Sequence, residues 1–167
     1  GFLALLQQFR PRQPLNGALV TVSVLDLMLW SKLERAKFAA HVRMRIAEMY
    51  AALNERFPVY VLVTKMDLLA GFIEFFGDMD PNARMQVWGT TFDQDIDPAL
   101  IEEPYAADFA ALEQRLGAEM LARLHEERDL QRRAAIYRFP QQFHGIGPLV
   151  GQFLAQAFGE VDRRAAP

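Results

Sequence analysis

The strongest constraint on this chain is an order of segments: short apolar run, long amphipathic stretch, short apolar run. Ala18-Leu19-Val20-Thr21-Val22-Ser23-Val24 is rich in β-branched residues and short, which predicts a strand. Residues 33–56 carry Phe38, Val42, Ile46, Met49 and Leu53 at steps of three and four. Arg35, Lys37, Arg43, Arg45, Glu48 and Glu55 fill much of the rest, so the stretch predicts one long amphipathic helix. Arg56-Phe57-Pro58 ends it, because proline cannot continue a helix and biases the residue before it towards extended backbone. Val59-Tyr60-Val61-Leu62-Val63 then predicts a second strand.

Both strands are nearly continuous apolar runs, the pattern of a parallel sheet covered on both faces. The helix supplies the crossover that parallel neighbours need, and the crossover is expected to be right-handed. The two strands then end on one edge of the sheet. Asp26 and Asp67 follow those ends, so they share the rim where ligands bind in open α/β folds.

The flanking segments read as follows. Residues 2–10 predict a short helix with Phe2, Leu5, Leu6 and Phe9 on one side, stopped by Arg10-Pro11-Arg12-Gln13-Pro14. Leu68 to Phe76 predicts a short helix that is apolar all round, hence deeply buried or docked onto another domain. Residues 81–86 predict another helical turn. Val87 to Phe92 predicts an extended segment in which Trp88 and Phe92 are packing residues. Tyr105 to about Arg133 predicts the longest helix, with the stripe Phe109, Leu112, Leu116, Met120 and Leu124. Ala134 to Phe139 predicts a last strand closed by Pro140, and residues 148–159 a last helix. The 167 residues fit one domain, with a sheet-forming part over about 1–92 and a helical part over about 105–160.

Composition narrows the function classes. Half the residues are apolar and thirteen are Phe, which excludes a disordered tail. A net charge of −3 leaves no basic excess for a general nucleic-acid surface. No run approaches the ~20 apolar residues of a membrane span, so these residues read as soluble. There is no cysteine, which fits a reducing compartment. His41, His125 and His144 show no metal-ligand spacing, and Ser23 and Ser31 sit on no nucleophile elbow. Asp93, Asp95 and Asp97 begin like a calcium loop, but Pro98 stands where the turn glycine is required, so a solvated loop is expected. No metal site and no catalytic residue is assigned.

One stretch carries chemistry. Thr64-Lys65-Met66-Asp67 follows the second strand directly and has the form of the base-reading loop of GTPase-like domains. An aspartate at a strand's C-terminal rim can accept two hydrogen bonds from a guanine edge, while a lysine stem lies over the apolar face of the base. The plainer alternative is a strand end whose aspartate caps the next helix. No Gly-x-x-x-x-Gly-Lys-Ser/Thr occurs to cradle phosphates or place Mg²⁺. The chain starts at Gly1, inside an apolar segment, and so reads as a piece of a longer protein with that loop expected upstream.

Four ordered stretches together resemble a known family. They are Pro14-Leu15-Asn16-Gly17 running into the first strand and Asp26-Leu27; Arg56 through Phe72; Gln86-Val87-Trp88-Gly89-Thr90-Thr91-Phe92; and Phe139-Pro140-Gln141-Gln142-Phe143. In these the chain resembles the IcmF-related, TssM-type inner-membrane component of the bacterial type VI secretion system, over essentially its whole length. The resemblance implies the C-terminal portion of a single cytoplasmic GTPase-like domain, a three-layer P-loop-type α/β fold lacking its first strands and phosphate loop. It implies an inner-membrane parent whose cytoplasmic face meets other membrane-complex subunits and baseplate proteins. Thr64, Lys65 and Asp67 match the base-reading motif, and GTP or ATP with Mg is the implied ligand of the complete domain. Two roles follow: an assembly component that uses the fold for docking, or an NTPase whose hydrolysis drives a conformational step. For residues 1–167 alone, no tight nucleotide binding and no turnover are expected.

Overall fold

The computed structural model describes residues 2–10, 12–80, 85, 88–93, 96–97 and 100–159. Helix α1 (Phe2–Phe9) precedes strand β1 (Ala18–Ser23), and helices α2 (Val24–Leu29) and α3 (Lys32–Leu53) lead to strand β2 (Val59–Thr64). A 3-10 turn (Met66–Leu68) and the short helix α4 (Phe72–Phe76) follow. Two long helices, α5 (Glu102–Glu126) and α6 (Leu130–Phe158), complete the order. The fold is mixed α/β, rich in helix.

Strands β1 and β2 pair in parallel, with Ala18 opposite Val59 and Ser23 opposite Thr64. The strand–helix–strand reading therefore holds, and the long crossover helix starts and stops for local reasons. Ser31 caps α3 reciprocally: its hydroxyl accepts from the Glu34 amide, and the Ser31 amide donates to the Glu34 carboxylate at 2.7 Å. That amide, and then the hydroxyl, hold the Glu34 carboxyl below its ordinary range. Asn54 in left-handed backbone (φ 49) ends the helix, and Phe57 and Pro58 turn the chain into β2.

The inner face of the sheet packs on α3 and α6. Val22, Leu27, Ala39, Val42, Ile46, Val150, Phe153, Leu154 and Ala157 form this core, with Val20, Val61 and Val63 packed on it. The outer face is a correction to the expectation of cover on both sides. Leu19 (60% exposed), Tyr60 (58%) and Leu62 (48%) stand there, and no described element lies over them. All layers of described residues are on one side, so the three-layer arrangement is not complete within them.

Three further corrections concern element type. Val24 begins α2 instead of ending β1, because the Ser23 hydroxyl accepts from the Asp26 amide and caps a helix there. The predicted helix to Arg133 breaks at 127–129, where Asp129 caps α6 through the amides of Gln131 and Arg132. The Asp129 amide and then the Arg132 guanidinium hold the Glu127 carboxyl below its usual range at this break. Ala134–Phe139 is helix, not strand. Pro140 and Pro148 lie inside the 29 residues of α6. Proline costs a helix interior about 3 kcal/mol. Here Phe139, Phe143, Ile146, Val150 and Phe153 are all buried at helical spacing, and that burial outweighs the local penalty. The predicted turn at 81–86 falls largely outside the described residues, and residues 88–93 are irregular.

Small residues let the long helices meet. An added Cβ at Gly147 would lie 2.3 Å from the Phe109 ring, and the Tyr105 hydroxyl donates to the Gly147 carbonyl at 2.9 Å. Arg43 ties α3 to α6 by donating to the Gln156 carbonyl.

Candidate base-recognition site

The site begins where β2 runs out. Thr64 closes the strand, half-buried, and its hydroxyl donates to the Val22 carbonyl of the neighbouring strand at 3.3 Å. The next residue leaves the sheet abruptly. Lys65 sits in left-handed backbone (φ 61, ψ 28), a conformation that costs a residue with a Cβ about 1 kcal/mol or more. That reversal starts the 3-10 turn: the Leu68 amide donates to the Lys65 carbonyl, and the Leu69 amide to the Met66 carbonyl, both at 3.1 Å.

The turn sorts its side chains. Lys65 and Asp67 point to solvent, whereas Leu69 and, beyond it, Phe75 are buried. Asp67 has no hydrogen-bond partner among the described residues. It does not act as the helix cap that the plainer reading assigned to it: the residue at the start of α4 is Gly71, and no side chain caps that helix. An exposed, uncommitted carboxylate beside a strained lysine, at the C-terminal rim of a parallel pair, can accept two N–H donors from a flat ligand.

Asp26 leaves the same rim. The register sets Ser23 level with Thr64, and Asp26 and Asp67 each lie three residues further on. Asp26 is in the first turn of α2 and half-buried.

Under the turn lies an aromatic bed. Phe75 and Phe139 rings are 5.0 Å apart, Phe72 meets Phe139 edge-on at 5.6 Å, and Phe76 meets Phe139 at 5.2 Å. Trp88 stands edge-on to Phe76 at 5.4 Å, the packing role expected of it. The Arg123 guanidinium lies 5.1 Å over Phe75 and pairs with Glu119. The all-round apolar helix is thus only partly buried, for Ile73 and Leu68 remain exposed.

Sequence reasoning missed two parts of this arrangement, the left-handed backbone of Lys65 and the seat of Gly71. A glycine between Leu68-Leu69-Ala70 and Phe72-Ile73 was the available signal for the second. A separate cleft on the α5–α6 pair is lined by Met120, Tyr137, Pro140, Gln141 and His144, and none of the motif residues lines it. Among the described residues no three His, Asp or Glu side chains are grouped to hold a metal ion, and no helix is long and apolar enough to cross a membrane.

The family model described as IcmF-related N-terminal domain matches residues 1–167. Over 161 residues the chain is 47% identical to the Type VI secretion system component TssM1 of Pseudomonas aeruginosa. The alignment covers 95% of this chain and 14% of that protein, so the chain spans about a seventh of its relative's length. No solved structure matches the chain significantly.

Proposed function

The chain belongs to the IcmF-related N-terminal domain family, and from that premise we propose that it is an assembly component of a type VI secretion membrane complex. The observation that carries this is 47% identity across nearly the whole chain to a protein named as a component of that system. In this reading the parent protein is anchored in the bacterial inner membrane, and this stretch stands on the cytoplasmic face. There it docks other subunits of the membrane complex and baseplate proteins. The β1–β2 pair and its helical layer are then the C-terminal portion of a GTPase-like domain, adapted to docking.

The same reading gives the rim a ligand. Asp67 accepts two hydrogen bonds from the N–H edge of guanine, the Lys65 stem covers the face of the base, and Thr64 fixes the strand end that carries both. The residues present fit the base: the carboxylate is exposed and has no hydrogen-bond partner among the described residues. They do not fit the phosphates, because no phosphate-cradling motif occurs in the 167 residues. GTP or ATP with Mg would draw its phosphate and metal contacts from outside this stretch, and no residue here is assigned to hydrolysis.

Calorimetric titration of the full-length protein tests the site. Asp67→Ala is expected to weaken guanine nucleotide binding more than adenine nucleotide binding; equal, unchanged affinities sink the base-reading role. Secretion by cells carrying the same variant separates the two roles. Retained secretion supports docking, and loss of secretion with intact assembly favours a working NTPase.

A further inference from the structure

Gly71 lies four residues beyond Asp67, in left-handed backbone (φ 87). An added Cβ would stand 2.1 Å from the Ala135 carbonyl oxygen, 2.9 Å from its carbon and 3.1 Å from the Phe139 Cβ. The first two are main-chain atoms of α6, which cannot swing aside as a flexible side chain would. The turn is therefore pressed directly onto the helix backbone.

Little slack separates this seat from Asp67. The Leu68, Leu69 and Phe72 amides donate to the Lys65, Met66 and Leu69 carbonyls, each at 3.1 Å, so overlapping bonds bracket Asp67 on one side and Gly71 on the other. Leu69 is buried in the aromatic bed, and the Phe75 amide donates to the Gly71 carbonyl at 2.9 Å, which ties α4 to the same point. A shift at Gly71 is passed along the turn to its exposed tip.

We infer that Gly71 is a positioning residue: its contact with the α6 backbone sets where the Asp67 carboxylate stands, and so sets selectivity for guanine over adenine. This rests on the base-reading role proposed above. Relieving the 2.1 Å overlap displaces the turn by about an ångström, more than the range of about half an ångström over which N–H···O hydrogen bonds form, so a two-point contact at Asp67 loses its alignment.

The test uses the full-length protein and calorimetric titration with GDP and ADP, comparing wild type, Asp67→Ala, Gly71→Ala and Gly145→Ala. The last adds a Cβ that meets no heavy atom within 4 Å and is expected to leave the GDP/ADP affinity ratio unchanged. Asp67→Ala is expected to erase the guanine preference, and Gly71→Ala to reduce it about tenfold or more while the protein stays folded by circular dichroism. Erasure by Asp67→Ala with an unchanged ratio in Gly71→Ala overturns this inference and leaves base reading standing. A wild type without preference, or an Asp67→Ala variant that keeps it, overturns both. Should Gly71→Ala fail to fold, Phe139→Leu loosens the same seat from the helix side. A threefold or larger drop in the ratio supports the inference, and an unchanged ratio overturns it.

Discussion

The two halves of α6 hold different things by different means. Its C-terminal half, through Val150, Phe153, Leu154 and Ala157, packs mostly aliphatic side chains of the sheet and α3. Its N-terminal half, through Ile136, Phe139, Phe143 and Ile146, meets Val24, Leu69, Phe75 and Leu116. That half is a web of rings: Phe139 alone lies within 5.0–6.2 Å of Phe72, Phe75, Phe76 and Phe143. Regular elements can interdigitate small branched side chains. A 3-10 turn and a five-residue helix offer no such ridges, and wide flat rings span the irregular gaps instead. The sheet is held by fit along its length, and the turn that carries Asp67 by a few large plates.

Phe139→Ala is the largest way to break that contrast. Removing a fully buried ring costs about 3–5 kcal/mol. If the halves are distinct, amide hydrogen exchange speeds first in α4 and the 65–69 turn, and later in β1 and β2. Simultaneous loss of protection in turn and sheet shows one cooperative unit and removes the distinction.

Tyr105→Phe probes the seam between the halves with a smaller effect. The hydroxyl reaches from α5 to the Gly147 carbonyl near the middle of α6, and its loss costs about 1 kcal/mol. Burial, with a smaller push from Glu113, raises the Tyr105 pKa above the ordinary value of 10.0. The folded chain then keeps this proton at a pH where the unfolded chain has released it. The contribution is full below about pH 10 and falls away as pH rises further. Chemical denaturation between pH 8 and 11 is expected to show a shallower alkaline loss for Tyr105→Phe than for wild type. Equal slopes remove the seam from the account of alkaline stability.

What was legible in the sequence follows the same division. The strand–helix–strand order could be read because β1, α3 and β2 each carry their own periodicity, and Pro58 marks the end of the helix, whereas the Ser31–Glu34 cap that opens it emerged only in the structure. Thr64, Lys65 and Asp67 could be placed at a rim because that order implies parallel pairing, which brings both strand ends to one edge of the sheet. The run Ala134–Phe139 misled, since its six residues read locally as a strand and Pro140 read as a stop. Only the aromatic bed, assembled from residues scattered between 69 and 143, makes helix the better choice there. The glycine at 71 was a visible signal, but what it is needed for was illegible for a related reason: the requirement comes from Ala135, sixty-four residues away in sequence (135 − 71).

The smallest effect is expected on the sheet's outer face, and it sharpens the contrast in another direction. Val61 and Leu62 are neighbours on β2, one packed on the inner core and one 48% exposed. Leu62→Thr keeps β-propensity while removing apolar surface, so it is expected to change stability of the 167-residue chain by less than about 0.5 kcal/mol. Its solubility should rise, because Leu19, Tyr60 and Leu62 form a continuous apolar row on paired strands whose edges are open among the described residues. Urea denaturation and light scattering of the two proteins measure both. A loss above about 1.5 kcal/mol that grows with protein concentration would mean that the row is already covered in solution by a second chain. The sheet would then be two-sided in practice, and the one-sided packing that sets the sheet against α3 and α6 alone would have to be given up.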